Sequence, residues 1–178
     1  MPRLFYAILL PEDILDALCA AQDALRERAV QGNFSRRENL HLTLAFLGET
    51  ENLTGARRGA ERLPGGPFPL RLQGAGSFRQ NGGRLFWAGV RQSRPLQSLQ
   101  EKLAQNLRAE GFRLEERPFR PHLTLARQVD VLPEFDPKAF AASIPALEMK
   151  VQAVSLMQSQ RIRGVLTYRE IYRKSLGE

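Results

Sequence analysis

The chain has two histidines, His41 and His122, and each opens the same pentapeptide. His41-Leu42-Thr43-Leu44-Ala45 recurs as His122-Leu123-Thr124-Leu125-Ala126, 81 residues later. Purely structural histidines have no reason to occur only in paired copies, so the duplicated frame points to chemistry. Read as strands of period 2, each copy sets an imidazole and a threonine hydroxyl on one face, about 7 Å apart at Cα, with leucines on the other. On that parity Ala45 shares the open face with His41, while Phe46 lies opposite with Leu42 and Leu44. Two such strands brought together make a cleft with two imidazoles and two hydroxyls. One imidazole can serve as acid and the other as base near neutral pH, and the hydroxyls can donate to the oxygens of an anion. A phosphodiester suits that set. Spacing alone does not say which histidine is the acid.

Other chemistries lack their parts. The sequence has no Gly-x-Ser-x-Gly elbow, no Walker loop and no His-Glu-x-x-His, and Gly74-Ala75-Gly76-Ser77 lacks the third glycine of a dinucleotide loop. No Asp or Glu lies within either pentapeptide, so neither a metal nor any other cofactor is expected. Cys19 is the only cysteine, which excludes an intramolecular disulfide.

The elements that must position the two motifs follow from local patterning. Residues 3–10 read as a strand rather than a signal peptide, since no small-residue cleavage site follows. Pro11-Glu12-Asp13 opens a helix with Ile14, Leu15, Leu18 and Leu25 on one stripe. Residues 40–47 form the first motif strand, ended by Gly48, and a short helix spans about 52–62. Phe68, Leu70 and Leu72 alternate with Pro69, Arg71 and Gln73, an edge strand tolerant of proline. Gln80-Asn81-Gly82-Gly83 turns into a strand over 84–90. Leu96, Leu99, Leu103 and Leu107 line a helix that starts near Pro95 and is capped by Gly111. The second motif strand covers 122–127, a short helix lies within 132–144, and two last strands lie near 147–157 and 164–173. Strands and helices out of strict alternation indicate an α+β fold with largely antiparallel pairing.

The 178 residues suggest one domain or two small lobes sharing a core, and no apolar run is long enough to span a bilayer. A cytoplasmic protein is expected, with no membrane association. The net charge is +7, carried by 26 basic residues of which 22 are arginine. Arginine forks phosphate, so the surplus favours a polyanion such as RNA. Arg120 and Arg127 flank the second motif as candidate phosphate contacts. On strand parity Arg120 shares the face of His122 and Arg127 lies opposite. Phe46, Phe78, Trp87 and Tyr168 are candidate base-stacking residues. A non-catalytic RNA-binding module, or an enzyme acting on small cyclic nucleotides, is the alternative reading.

The paired motifs, His41-Leu42-Thr43-Leu44-Ala45-Phe46-Leu47-Gly48 and Phe119-Arg120-Pro121-His122-Leu123-Thr124-Leu125-Ala126-Arg127, resemble those of the 2H phosphoesterase superfamily. Within it the chain is similar to the RNA 2',3'-cyclic phosphodiesterases, also called 2'-5' RNA ligases. The likeness runs from Arg3-Leu4-Phe5 through Arg84-Leu85-Phe86-Trp87 to Ser155-Leu156-Met157-Gln158-Ser159 and Tyr168; Phe34 stands where relatives often carry tryptophan. The resemblance implies one bilobal catalytic unit over 1–178, with two antiparallel sheets facing a central cleft, helices outside, and one motif per lobe (41–44 and 122–125). It also implies that His41 is the proton donor, His122 the proton acceptor, and Thr43 and Thr124 the holders of the nonbridging oxygens. Arg120, Arg127, Phe46 and Tyr168 are the expected substrate contacts. The implied reaction hydrolyses RNA 2',3'-cyclic phosphate ends to 2'-phosphomonoesters, with reverse 2'-5' ligation when a 5'-hydroxyl RNA end is present. No protein partner is called for, and a monomer is expected.

Overall fold

The computed structural model describes residues 1–177. The elements run β1 (Arg3–Leu9), α1 (Glu12–Arg26), β2 (Ala29–Phe34), β3 (His41–Glu49), α2 (Leu53–Glu61), β4 (Phe68–Gln80), β5 (Gly83–Val90), α3 (Arg94–Ala109), β6 (His122–Val131), α4 (Pro137–Ser143), β7 (Leu147–Val151), β8 (Ala153–Ile162) and β9 (Val165–Ser175). They form two antiparallel sheets. One has four strands in the order β3-β1-β8-β9, the other five in the order β2-β6-β5-β4-β7. The fold is α+β, as the residue patterning predicts, and the two histidine strands lie in different sheets.

The helices follow their apolar stripes. In α1, Ile14, Leu18, Ala21 and Leu25 are buried, with Glu12 and Asp13 in the first turn where the helix dipole favours acids. In α3, Ser93 Oγ caps the N-terminus by accepting from the Leu96 N–H at 3.2 Å, and Leu96, Leu99, Leu103 and Leu107 are buried. The helix stops at Gly111, whose φ of +96° a side chain would oppose. Helices α1 and α4 pack on the five-stranded sheet, while α2 and α3 pack together over the four-stranded one. Each sheet thus buries one face, with about 1.5–3 kcal/mol for every large aliphatic side chain withdrawn from water. Among the described residues no helix is long and apolar enough to cross a membrane.

Three features differ from the sequence reading. β2 went unforeseen because its residues are mostly exposed and show no apolar alternation. β4 is not an edge strand: it lies between β5 and β7, yet Phe68–Leu72 pair with β7 while the β5 pairing starts only at Leu72. Pro69 therefore sits where one side of the strand carries no ladder, which is what a missing N–H requires. The stretch 147–157 splits at Gln152 into β7 and β8, one in each sheet.

Candidate active site

His41 and His122 both line a cavity of about 590 Å³ between the sheets, together with Thr43, Thr124, Arg127 and Tyr168. A second cavity, about 940 Å³, shares Thr43, Phe46 and His122 with the first and extends past Phe78 and Arg120. The two cavities are arms meeting at the motif residues.

The motif repeat extends to the hydrogen bonding. His41 Nδ1 lies 2.7 Å from the carbonyl of Asn39, and His122 Nδ1 lies 2.8 Å from the carbonyl of Arg120. A carbonyl only accepts, so Nδ1–H donates in both, and the neutral ring keeps its lone pair on Nε2. In His41 that nitrogen meets Thr43 Oγ1 at 2.8 Å. In His122 it makes no hydrogen bond among the described residues. Asn39 is buried, and its own amide donates to the Leu166 carbonyl at 2.9 Å, which ties the His41 carbonyl partner to β9.

Aromatic rings fix both imidazoles. Phe5 and Tyr168 pack on His41 with centroids 5.0 and 5.2 Å away, the tyrosine edge-on. Phe78 packs edge-on against His122 at 5.6 Å. Burial pushes the His41 imidazolium below its usual range; the Asn39 carbonyl opposes this, and the charges of Arg127 and His122 add to it. Burial likewise raises the Tyr168 hydroxyl, with Arg127 acting the other way.

Simple alternation fails one residue past each threonine. On β3 the register steps from Thr43 opposite Ala7 to Ala45 opposite Tyr6, leaving Leu44 as an extra residue. On β6 it steps from Thr124 opposite Trp87 to Ala126 opposite Phe86, leaving Leu125 extra. These are β-bulges at matched positions. They bury Ala45 and Ala126, and they turn the next side chains, Phe46 and Arg127, back to the cleft side. Period-2 parity therefore misassigns Ala45, Phe46 and Arg127. Phe46 is 60% exposed and lines both arms, and Arg127 lines the 590 Å³ arm beside both histidines.

A glutamine from the covering helix takes up each bulge. Gln22 of α1 donates through Nε2 to the Leu125 carbonyl at 2.9 Å and to the Ser35 carbonyl at 2.7 Å. Gln100 of α3 donates to the Leu44 carbonyl at 3.2 Å. Gln22 is only 4% exposed. Replacing it with alanine leaves the Ser35 carbonyl without its donor and the Leu125 carbonyl with the Ser35 N–H alone, and is expected to destabilise the fold by about 1–3 kcal/mol. A thermal melt unmoved by the substitution would show that the bulge holds without it.

The remaining expected contacts divide between the arms. Arg120 and Phe78 line the larger arm, and Tyr168 the smaller. Trp87 lines neither and stacks behind Phe78 at 5.6 Å. Its indole fits there because residue 76 is glycine, where a Cβ would fall 2.2 Å from the ring. Asn39, Phe5, Arg36 and Arg161 escaped the sequence reading as site residues, although Phe5 lies in the family-like stretch Arg3-Leu4-Phe5 and Arg36 and Asn39 in the polar run Arg36-Arg37-Glu38-Asn39 just before the first motif. Among the described residues no three His, Cys, Asp or Glu side chains are grouped to hold a metal ion.

The sequence profile of the 2'-5' RNA ligase superfamily matches residues 14–163. An RNA 2',3'-cyclic phosphodiesterase of Escherichia coli is 34% identical over 163 residues, covering 89% of this chain and 90% of the relative. One from Thermus thermophilus is 33% identical, covering 89% and 82%. Among solved structures, E. coli LigT complexed with 3'-AMP superposes with a TM-score of 0.81 at 30% identity over the whole of both chains.

Proposed function

This chain belongs to the 2'-5' RNA ligase superfamily, and from that premise we propose that it opens RNA 2',3'-cyclic phosphate ends by acid–base catalysis between two histidines. Its enzyme class is that of its curated relatives, RNA 2',3'-cyclic phosphodiesterase. One bilobal unit does the work, each lobe supplying one motif. The observation that carries this reading is the pair of Nδ1–carbonyl bonds, which leave each Nε2 as the nitrogen available for proton transfer in one cleft.

In the proposed reaction His122 Nε2 takes a proton from water as its oxygen attacks the cyclic phosphorus. The P–O3' bond breaks, and His41 gives its proton to the leaving 3'-oxygen. The product ends in a 2'-phosphate and a 3'-hydroxyl. Thr43 and Thr124 donate to the nonbridging oxygens, and Arg127 offsets their charge. Arg120 contacts the RNA backbone, while Phe46 and Tyr168 offer faces to a base. With a 5'-hydroxyl RNA end as nucleophile, the same bond changes give a 2'-5' linkage, and no nucleotide cofactor enters the balance.

The direct test incubates a 2',3'-cyclic-phosphate oligonucleotide with the protein in excess EDTA and identifies the product end. A 2'-phosphate is expected. A 3'-phosphate would reverse the assigned leaving group, and activity lost in EDTA but restored by a divalent ion would overturn metal independence.

The pH profile carries a sharper signature. The acid must be charged and the base neutral, so rates should be bell-shaped. Because His41 is held low in the free protein, the limb of kcat/KM that reports His41 should fall below the ordinary imidazole value of about 6.5. Bound phosphate adds a negative charge beside His41, so the same limb of kcat should lie at higher pH. Arg127→Gln removes a charge that lowers His41 and should move the kcat/KM limb upward, whatever it does to the rate. An unmoved or lowered limb would rule out His41 as the titrating acid.

A further inference from the structure

The β8–β9 hairpin overhangs the smaller arm of the cleft. Arg161, Gly164, Val165 and Leu166 wall that arm and take no part in the larger one. β8 pairs with β1 only over Ser155–Ser159, so from Gln160 onward the hairpin runs past the sheet as a two-stranded ribbon. Its base is held from the side: the Leu166 carbonyl accepts from Asn39 Nδ2 at 2.9 Å and from Arg36 Nη1 at 3.2 Å. Arg161 pairs with Leu166, which is two residues along the strand from Tyr168, the ring on His41. By the rise per residue that step is about 7 Å.

The tip carries charge that the protein does not neutralise. No Asp or Glu lies between Gln160 and Tyr168, and Arg161 and Arg163 make no ion pair among the described residues. Arg161 Nη1 donates to the Gly164 carbonyl at 3.1 Å, and the Arg163 side chain makes no hydrogen bond among the described residues. Ile162 pairs with Val165, so Arg163 and Gly164 are the two central residues of the turn, with φ of +52° and +79°. A two-residue turn with both φ positive favours Asn-Gly. An arginine in the first place strains the backbone, and it sets a second exposed guanidinium at the tip.

The leaving 3'-oxygen belongs to the terminal ribose, and His41 lines the smaller arm only. That places the terminal nucleotide in this arm, with its 5'-oxygen carrying the next phosphate of the chain. We propose that the hairpin tip holds the RNA upstream of the cyclic end, with Arg161 and Arg163 on the backbone phosphates that follow the terminal ribose. The tip thereby selects chain ends over cyclic mononucleotides, which lack those phosphates. The assignment rests on the proton-donor role given above to His41.

The test measures kcat/KM on a 2',3'-cyclic-phosphate oligoribonucleotide and on the matching cyclic mononucleotide with a free 5'-hydroxyl, and reads their ratio. Arg161→Gln/Arg163→Asn should lower the ratio roughly tenfold, on the scale of lost charged hydrogen bonds. The salt dependence of its oligonucleotide KM should be shallower by about 0.7 for each arginine removed. Arg163→Asn alone suits the turn better, so it should lower the ratio while its thermal melt stays level or rises. Arg161→Lys/Arg163→Lys keeps both charges and should hold most of the wild-type ratio. Arg58→Gln/Arg62→Gln, an equal charge loss on α2 and its C-terminal end, should leave the ratio unmoved. A wild-type ratio in the Gln/Asn double variant would overturn the assignment. So would a lysine variant that falls as far, since turn geometry would then be the cause, or an equal fall in the α2 variant, since net charge would be. A wild type that opens neither substrate would instead sink the reading of the reaction. Fluorescence anisotropy with a labelled 2'-phosphate-ended oligonucleotide, run on the same variants, would still decide whether the hairpin binds the chain.

Discussion

Replacing either histidine with alanine is expected to lower kcat/KM on a cyclic-phosphate oligonucleotide by roughly 10²–10⁴-fold, the range for a lost proton-transfer group. Both side chains are half-buried in the cleft wall rather than in the core, so circular dichroism melts of His41→Ala and His122→Ala should stay close to the wild type. The double variant should be scarcely worse than either single one, because the two groups serve one transition state. Either single variant retaining near-wild-type activity would end the two-histidine mechanism. A double variant impaired by the product of the two single effects would show that the histidines act in separate steps.

The threonines come next in size, and the structure separates them. Loss of a hydrogen bond to a charged phosphate is worth about 1.5–3 kcal/mol, or roughly 10–150-fold. Thr124→Ala should show that loss alone. Thr43 also meets His41 Nε2 at 2.8 Å, so Thr43→Ala should lower the rate and displace the limb of the pH profile that reports His41 as well. Measuring kcat/KM from pH 5 to 9 for both variants separates the cases. Identical profiles would mean that the Thr43–His41 bond plays no part in setting the acid.

Much of the site was readable from residue types. The duplicated pentapeptide named the four central residues, and the leucines between them marked the strands that hold them. The leucine stripes of α1 and α3 were equally legible, because burial of one helix face leaves a period of three to four residues. What escaped was geometry that side-chain identity does not encode. The bulges at Leu44 and Leu125 lie inside runs that alternate well enough to be read straight through. Parity therefore put Phe46 in the core and Arg127 on the far face, and the structure reverses both. The glutamines that hold the bulges look like ordinary polar positions on amphipathic helices, since their partners are carbonyls distant in sequence. β2, polar and mostly exposed, had no apolar period to detect. Asn39 matters through its backbone carbonyl, an atom every residue possesses.

The interleaving of the two sheets has a consequence for synthesis on the ribosome. All five strands of the His122 sheet have been made once Val151 is added, whereas β1, the central partner of the His41 strand, receives its other neighbour only with β8, residues 153–162. Tyr168, which packs on His41, and Leu166, whose carbonyl holds Asn39, come later still. Chains emerge N-terminus first, so the surroundings of His41 are assembled last. A nascent chain released before β9 would carry both histidines and still lack the packing and hydrogen bonds that orient His41.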